Sequence, residues 1–127
     1  MAYCGWKVSD AQREDLLARF PARFPDVIAH HITHALKGYV PTAADIAIVG
    51  YVSDDIGLEA MVVAVNGEQV RRDGSRYHIT WSIDREIGYK PVDSNKIIRQ
   101  CEIEFFDEPI VIETIPFWVD DKKNEHF

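Results

Sequence analysis

The phrase His-Ile-Thr occurs twice, at His31-Ile32-Thr33 and at His78-Ile79-Thr80. Each copy lies in an apolar, β-branched stretch of the kind that forms strands. On a strand, residues i and i+2 share a face. His31 and Thr33 therefore share one face, His78 and Thr80 share another, and Ile32 and Ile79 point the opposite way, toward a core. Two strands that each present an imidazole and a hydroxyl are expected to frame one polar cleft. A fold for this chain must bury both isoleucines and bring the two polar faces together.

A chain of 127 residues forms one domain with a single core. Its hydrophobic content of 46% and charged content of 28% are those of an ordinary globular protein. No apolar run approaches the ~20 residues of a membrane helix, and the N-terminus lacks the basic and apolar regions of a signal peptide. Cys4 and Cys101 are far apart and not in a metal-type spacing, so they read as reduced cysteines of a cytoplasmic protein. The net charge of −7 argues against a protein that coats DNA through its phosphates. Only residues 71–99 are basic, with seven Lys and Arg against four Asp and Glu, and they surround the second phrase. A local positive field of this kind suits a small phosphate-bearing substrate.

In chain order, Ala2–Val8 reads as a first strand. Ser9 followed by Gln12 has the capping-box pattern, which starts a helix with Leu16, Leu17 and Phe20 on its buried face. Pro21 and Pro25 end it. Val27–Lys37 is the second strand, Ala44–Val52 the third and Leu58–Val65 the fourth. Asn66-Gly67 then signals a hairpin, and Tyr77–Ile83 is the strand of the second phrase. Asp93 or Ser94 caps a short helix over residues 95–100. Glu102–Phe106 and Ile110–Val119 close the domain as two strands. Residues 1–119 form the domain, and 120–127 are expected to be a frayed polar tail.

The two phrases resemble the His-x-Thr/Ser motifs of the two-histidine (2H) phosphoesterases of the LigT-like kind. The strand, helix, strand order before the first phrase is similar to that family, as is the loop and helix of Gly88–Ile98 after the second. The motif in that family continues with an apolar residue, which Trp81 supplies and His34 does not. The resemblance implies an α+β fold of two small lobes, with antiparallel strands framing a central cleft. It also implies a metal-independent phosphodiesterase without a cofactor.

The chemistry of the residues agrees with that expectation. Phosphodiester cleavage needs one group to take a proton from the nucleophile and another to protonate the leaving oxygen, and histidine can serve in either role. His31 and His78 are the expected acid–base pair. Thr33 and Thr80 would donate to phosphate oxygens where charge builds. Tyr3, Trp6 and Tyr39 are candidates for stacking on a base, and Lys90 for a phosphate contact, with Arg71, Arg72 and Arg76 as weaker ones. The expected substrates are a cyclic oligonucleotide signal, of the kind that phage relatives degrade to defeat CBASS immunity, or RNA with a 2′,3′-cyclic phosphate or 2′–5′ linkage. These histidines have three other readings. A histidine triad is disfavoured because Ile32 lies between His30 and His34. A metal site is disfavoured because His30 and His34 are expected to face away from His31, which would also make them dispensable for chemistry. A non-catalytic module that binds nucleotide or protein remains the alternative.

Overall fold

The computed structural model describes residues 2–37 and 40–127. It is an α+β structure with two antiparallel sheets and two α-helices among the described residues. The strands are β1 (Tyr3–Val8), β2 (Asp26–Val27), β3 (His31–Ala35), β4 (Ile46–Ser53), β5 (Leu58–Val65), β6 (His78–Ile83), β7 (Glu104–Ile112), β8 (Thr114–Val119) and β9 (Glu125–His126). The helices are α1 (Asp10–Arg19) and α2 (Ser94–Gln100). One sheet has the order β3-β1-β8-β9, the other β2-β6-β5-β4-β7.

The stretch Val27–Lys37, expected as one strand, is two, because the chain changes sheets within it. Asp26 and Val27 pair with Ile83 and Ser82 of β6. The amides of Ile28 and Ala29 continue that ladder by donating to the carbonyls of Trp81 and Thr80, each at 2.9 Å. At Ala29 the backbone turns left-handed, with φ +43°, a conformation uncommon for a residue with a Cβ. His31–Ala35 then joins the other sheet, with Lys7 opposite His31, Trp6 opposite Ile32 and Gly5 opposite Thr33. The two backbones approach so closely there that a Cβ on Gly5 would lie 2.0 Å from the Ile32 carbonyl oxygen.

A second exchange occurs at Glu113. β7 ends at Ile112 in the five-stranded sheet and β8 begins at Thr114 in the four-stranded one. The expected break at Asp107-Glu108-Pro109 is absent, and β7 runs through it. Proline is tolerated because β7 is an edge strand. Its pairing with β4 also shifts register between the Ile110–Ile112 and Glu104–Phe105 segments, which leaves Pro109 outside the ladder.

Other local signals appear as read. The Ser9 hydroxyl accepts from the Gln12 amide at 3.3 Å and caps α1. The Gln12 side chain does not complete a capping box; its Oε1 accepts from the Glu113 amide at 3.0 Å. Asn66 and Gly67 both have positive φ, and Val65 and Glu68 exchange backbone bonds of 2.8 and 2.9 Å across a two-residue turn.

The two sheets close on one core. Trp6, Val8 and Ile32 of the first meet Ile48, Met61, Val63, Ile79 and Trp81 of the second, with Leu16 of α1 beside them. Ile32 and Ile79, the middle residues of the two phrases, are both fully buried there. On the other face of the five-stranded sheet, Ala60 and Val62 pack under Ile97 and Ile98 of α2. β5 is thus buried on both faces, which explains its near-continuous apolar sequence. Among the described residues no helix is long and apolar enough to cross a membrane.

Candidate active site

Strand edges create the cleft. β3 is the outer strand of its sheet, and β2 with the two residues after it covers β6 only from Ile83 to Thr80. The His78 end of β6 therefore comes up against β3, one strand from each sheet. Between them opens a cleft of about 500 Å³ whose walls include His31, Thr33, His78 and Thr80. Tyr3, Ile28, Val92 and Val119 give it apolar surface, and Arg71, Lys123 and Glu125 carry its charges.

The two copies of the phrase are supported differently. In the first, His31 Nε2 lies 3.0 Å from the Thr33 hydroxyl, and Tyr3 stacks on the imidazole at 4.7 Å between ring centroids. His31 Nδ1 lies 2.9 Å from Nδ1 of His30. In the second, His78 Nδ1 lies 2.8 Å from the Arg76 carbonyl oxygen, which can only accept, so this nitrogen carries the proton. Thr80 is buried; its hydroxyl donates to the Pro91 carbonyl at 3.3 Å and pairs with the Ser94 hydroxyl at 2.7 Å. Those bonds tie β6 to the start of α2.

Both imidazoles resist protonation. Burial, with the charges of His30 and His78, pulls His31 down to about 3, against an opposing effect of Glu125. Burial also lowers His78, opposed by its bond to the Arg76 carbonyl and helped by Arg71. Near pH 7 both rings are neutral.

The remaining sequence candidates divide. Tyr3 lines the cleft. Trp6 does not; it is buried in the core, and its Nε1–H donates to the Thr42 carbonyl at 3.0 Å. Tyr39 lies outside the described residues. Lys90 is exposed and precedes α2, where its amide donates to Asp93 at 2.9 Å, and it is not part of the cleft wall. Arg71 takes that place: its guanidinium pairs with Asp73 at 2.7 Å and lies 3.4 Å from the Thr33 carbonyl. Arg72 borders a separate depression with His34. Arg76 bonds Gln69 at 2.8 Å and sits over the Phe105 ring.

His30 does not face away from His31, as strict alternation had suggested. It precedes β3 and follows the left-handed Ala29, so the period-two count does not reach it. His34 does lie elsewhere, stacked on Tyr77 with Nδ1 3.3 Å from the phenol oxygen. Residues 120–127 also depart from the expected tail. Asp120 accepts from the amides of Lys122 and Asn124 at 2.9 Å each, and Lys123 turns the chain with φ +67°. β9 then pairs with β8, and His126 stacks on Trp118 at 4.1 Å. This return carries Glu125 into the cleft wall. Asn95 of α2 also lines the cleft. Nothing in the sequence pointed to Glu125, whereas the doubled histidine at 30–31 was visible and misread. Among the described residues no group of three or more His, Cys, Asp or Glu side chains is placed to hold a metal ion. Comparison with family models, curated proteins and solved structures finds no match for this chain.

Proposed function

We propose that this protein is a phosphodiesterase of the two-histidine type, acting on a nucleotide in the cleft between β3 and β6. The observation that carries the proposal is the convergence of His31 and His78, from separate sheets, on one cleft that also holds both threonines and Arg71. A cleft of about 500 Å³ falls within the ~300–1,000 Å³ that small ligands occupy. Its size and enclosure favour a small nucleotide or a short RNA end over a long duplex. Cyclic oligonucleotides and 2′,3′-cyclic-phosphate or 2′–5′-linked RNA are the substrate classes proposed. The two cysteines are free, in keeping with the reducing cytoplasm as the proposed setting.

The chemistry follows from the two rings. His78 carries its proton on Nδ1 and, being neutral, offers a bare Nε2 as a base. For turnover one of the two imidazoles must hold a second proton when the leaving oxygen departs. A bound phosphodiester carries the negative charge that favours this, since an anion nearby stabilises imidazolium. Arg71 is a donor available to the phosphate oxygens, and the Thr33 hydroxyl becomes one when His31 Nε2 gains a proton and donates to the hydroxyl oxygen. Thr80 is already committed to Ser94 and Pro91, so its main part in this scheme is to hold β6 against α2.

The deciding experiment incubates the protein with cyclic dinucleotides, cyclic trinucleotides and 2′,3′-cyclic-phosphate RNA in the presence of EDTA. Cleavage of one class, undiminished by EDTA, is the expected result. Activity that EDTA abolishes and Zn²⁺ or Mn²⁺ restores would replace this mechanism with a metal-bound nucleophile. The commitment of Thr80 and the neutrality of both rings also suit a module that binds nucleotide without cutting it. Retention of a nucleotide uncut by the wild-type protein would select that reading.

A further inference from the structure

A chain of side chains runs behind His31 on the side away from Thr33. Lys7 Nζ donates to Glu125 Oε1 at 2.8 Å, Glu125 Oε2 lies 3.1 Å from His30 Nε2, and His30 Nδ1 lies 2.9 Å from His31 Nδ1. These groups come from three separate places: β1, the residues preceding β3, and β9. Arg13 of α1 fixes the same turn, donating to the carbonyls of Ala29 and Ile28 at 3.0 and 3.1 Å. From these contacts we propose that Lys7, Glu125 and His30 form a relay of positioning residues. The relay sets which nitrogen of His31 carries the proton and supports the charge on that ring.

The proton positions follow from donor and acceptor capacity together with the charge states of Glu125 and His30. Glu125 is ionised, held below the usual carboxylate range first by its bond from Lys7. A carboxylate only accepts, so His30 Nε2 carries a hydrogen. Burial lowers the His30 imidazole, against the pull of Glu125, so it is neutral near pH 7 and its Nδ1 is bare. His31 Nδ1 must then donate to it, which leaves His31 Nε2 bare beside the Thr33 hydroxyl. The relay thus presents His31 as the same tautomer that the Arg76 carbonyl imposes on His78. When His31 Nε2 gains a proton, the Nδ1–H bond to His30 strengthens, and the Glu125 carboxylate beyond it stabilises the positive charge. The other groups facing this ring are Tyr3 from β1, Phe117 from β8 and His78 from β6.

The inference about catalysis rests on the proposed phosphodiesterase activity; the tautomer does not. Two-bond ¹⁵N–¹H correlation spectra of the histidine-labelled protein report which ring nitrogen is protonated. The wild-type protein should show His31 with hydrogen on Nδ1. Glu125→Ala and His30→Ala should move it toward the Nε2–H form that histidine favours in water. Glu125 is partly exposed, with about a third of its side chain open to solvent, so its removal leaves the core intact and covers the case in which His30→Ala does not fold. On the substrate found to be cleaved, Glu125→Ala should lower kcat/KM by roughly 10- to 100-fold, the range seen when the partner that orients a metal-ligating histidine is lost. It should also shift the pH profile toward acid, because Glu125 favours the charged ring. An Nε2–H tautomer in the wild type, or an Nδ1–H tautomer that survives both substitutions, overturns the relay. Loss of activity in His31→Ala but full activity in Glu125→Ala overturns its catalytic part and leaves the phosphodiesterase reading standing. A wild-type protein that cuts nothing but shows the predicted tautomers refutes the activity and leaves the relay in place.

Discussion

The same three residues, His-Ile-Thr, are held in opposite ways at their two occurrences. On β6 uncharged groups do the holding: His78 is fixed by a main-chain carbonyl, and Thr80 is tied to the Pro91 carbonyl and the Ser94 hydroxyl. On β3 side chains do it: His31 leans on His30, Tyr3 and, through His30, on Glu125. Support from carbonyls and a hydroxyl is electrically neutral. Side-chain support carries ionisable groups and can change with pH or mutation. Identical local sequence therefore does not give identical chemistry, because what lies behind a strand decides which atoms are free in front of it.

The strongest way to break this comparison is to remove the rings one at a time. His31→Ala and His78→Ala should each lower turnover by roughly 10²–10⁴-fold, the usual contribution of a general acid or base, while substrate binding changes far less. Equal loss of binding and turnover in steady-state assays would mean that the rings only hold the ligand. The threonines sharpen the contrast next. Thr33→Val should cost about 10²–10³ in kcat if its hydroxyl serves the transition state. Thr80→Val should act on stability instead, by about 1 kcal/mol for a lost buried hydrogen bond, read as a shift of the denaturation midpoint.

Backbone space gives a third test. Gly5→Ala would drive a Cβ into the Ile32 carbonyl and displace the first phrase alone. Overpacking of this kind typically costs about 1–3 kcal/mol, and a crystal structure of the variant should show β3 moved with β6 in place. The smallest effect is in pH. An unperturbed histidine titrates at about 6.5, but both rings are lowered in this protein. The form with one protonated ring thus becomes commoner as pH falls below that value. kcat/KM should rise from pH 8 toward pH 5, and kcat, which reports the complex with its phosphate charge, should peak at higher pH. The limbs belong to the coupled pair. Folding carries the opposite sign. The unfolded chain binds the proton that folded His31 rejects, so stability from this group is present above about 6.5 and lost as pH falls toward about 3.

Much of this was legible in the sequence wherever the signal is local. Ser9 marks a helix start, Asn66-Gly67 a two-residue turn, and the alternation around Ile32 and Ile79 shows which way each phrase faces. What escaped was pairing at a distance. Nothing in Val27–Lys37 separates a strand of one sheet from a strand of the other, since both halves are extended and half-buried. Only the conformation at Ala29, a residue with no preference for it, records the switch. Pro109 suggested a break that an irregular edge strand absorbs. Glu125 sat in a polar stretch and acquired meaning only when β9 folded back on β8. Gly5 was the one readable clue left unused, since a glycine inside a strand often marks a close backbone approach.

The pairing of Tyr3–Val8 with Thr114–Val119 also has a consequence for biosynthesis. A nascent chain that has reached residue 100 already contains both His-Ile-Thr phrases. It lacks β8 and β9, so β1 and β3 form only a two-stranded ribbon, which is marginal alone. His31 then has neither Phe117 beside it nor Glu125 behind it. The second phrase, by contrast, sits among β4, β5 and α2, which are made without interruption. Competence for chemistry should appear abruptly, with residues 114–127, and not grow as the chain lengthens. A ribosome-tethered fragment ending before Thr114 should be silent toward any substrate that the whole chain cleaves.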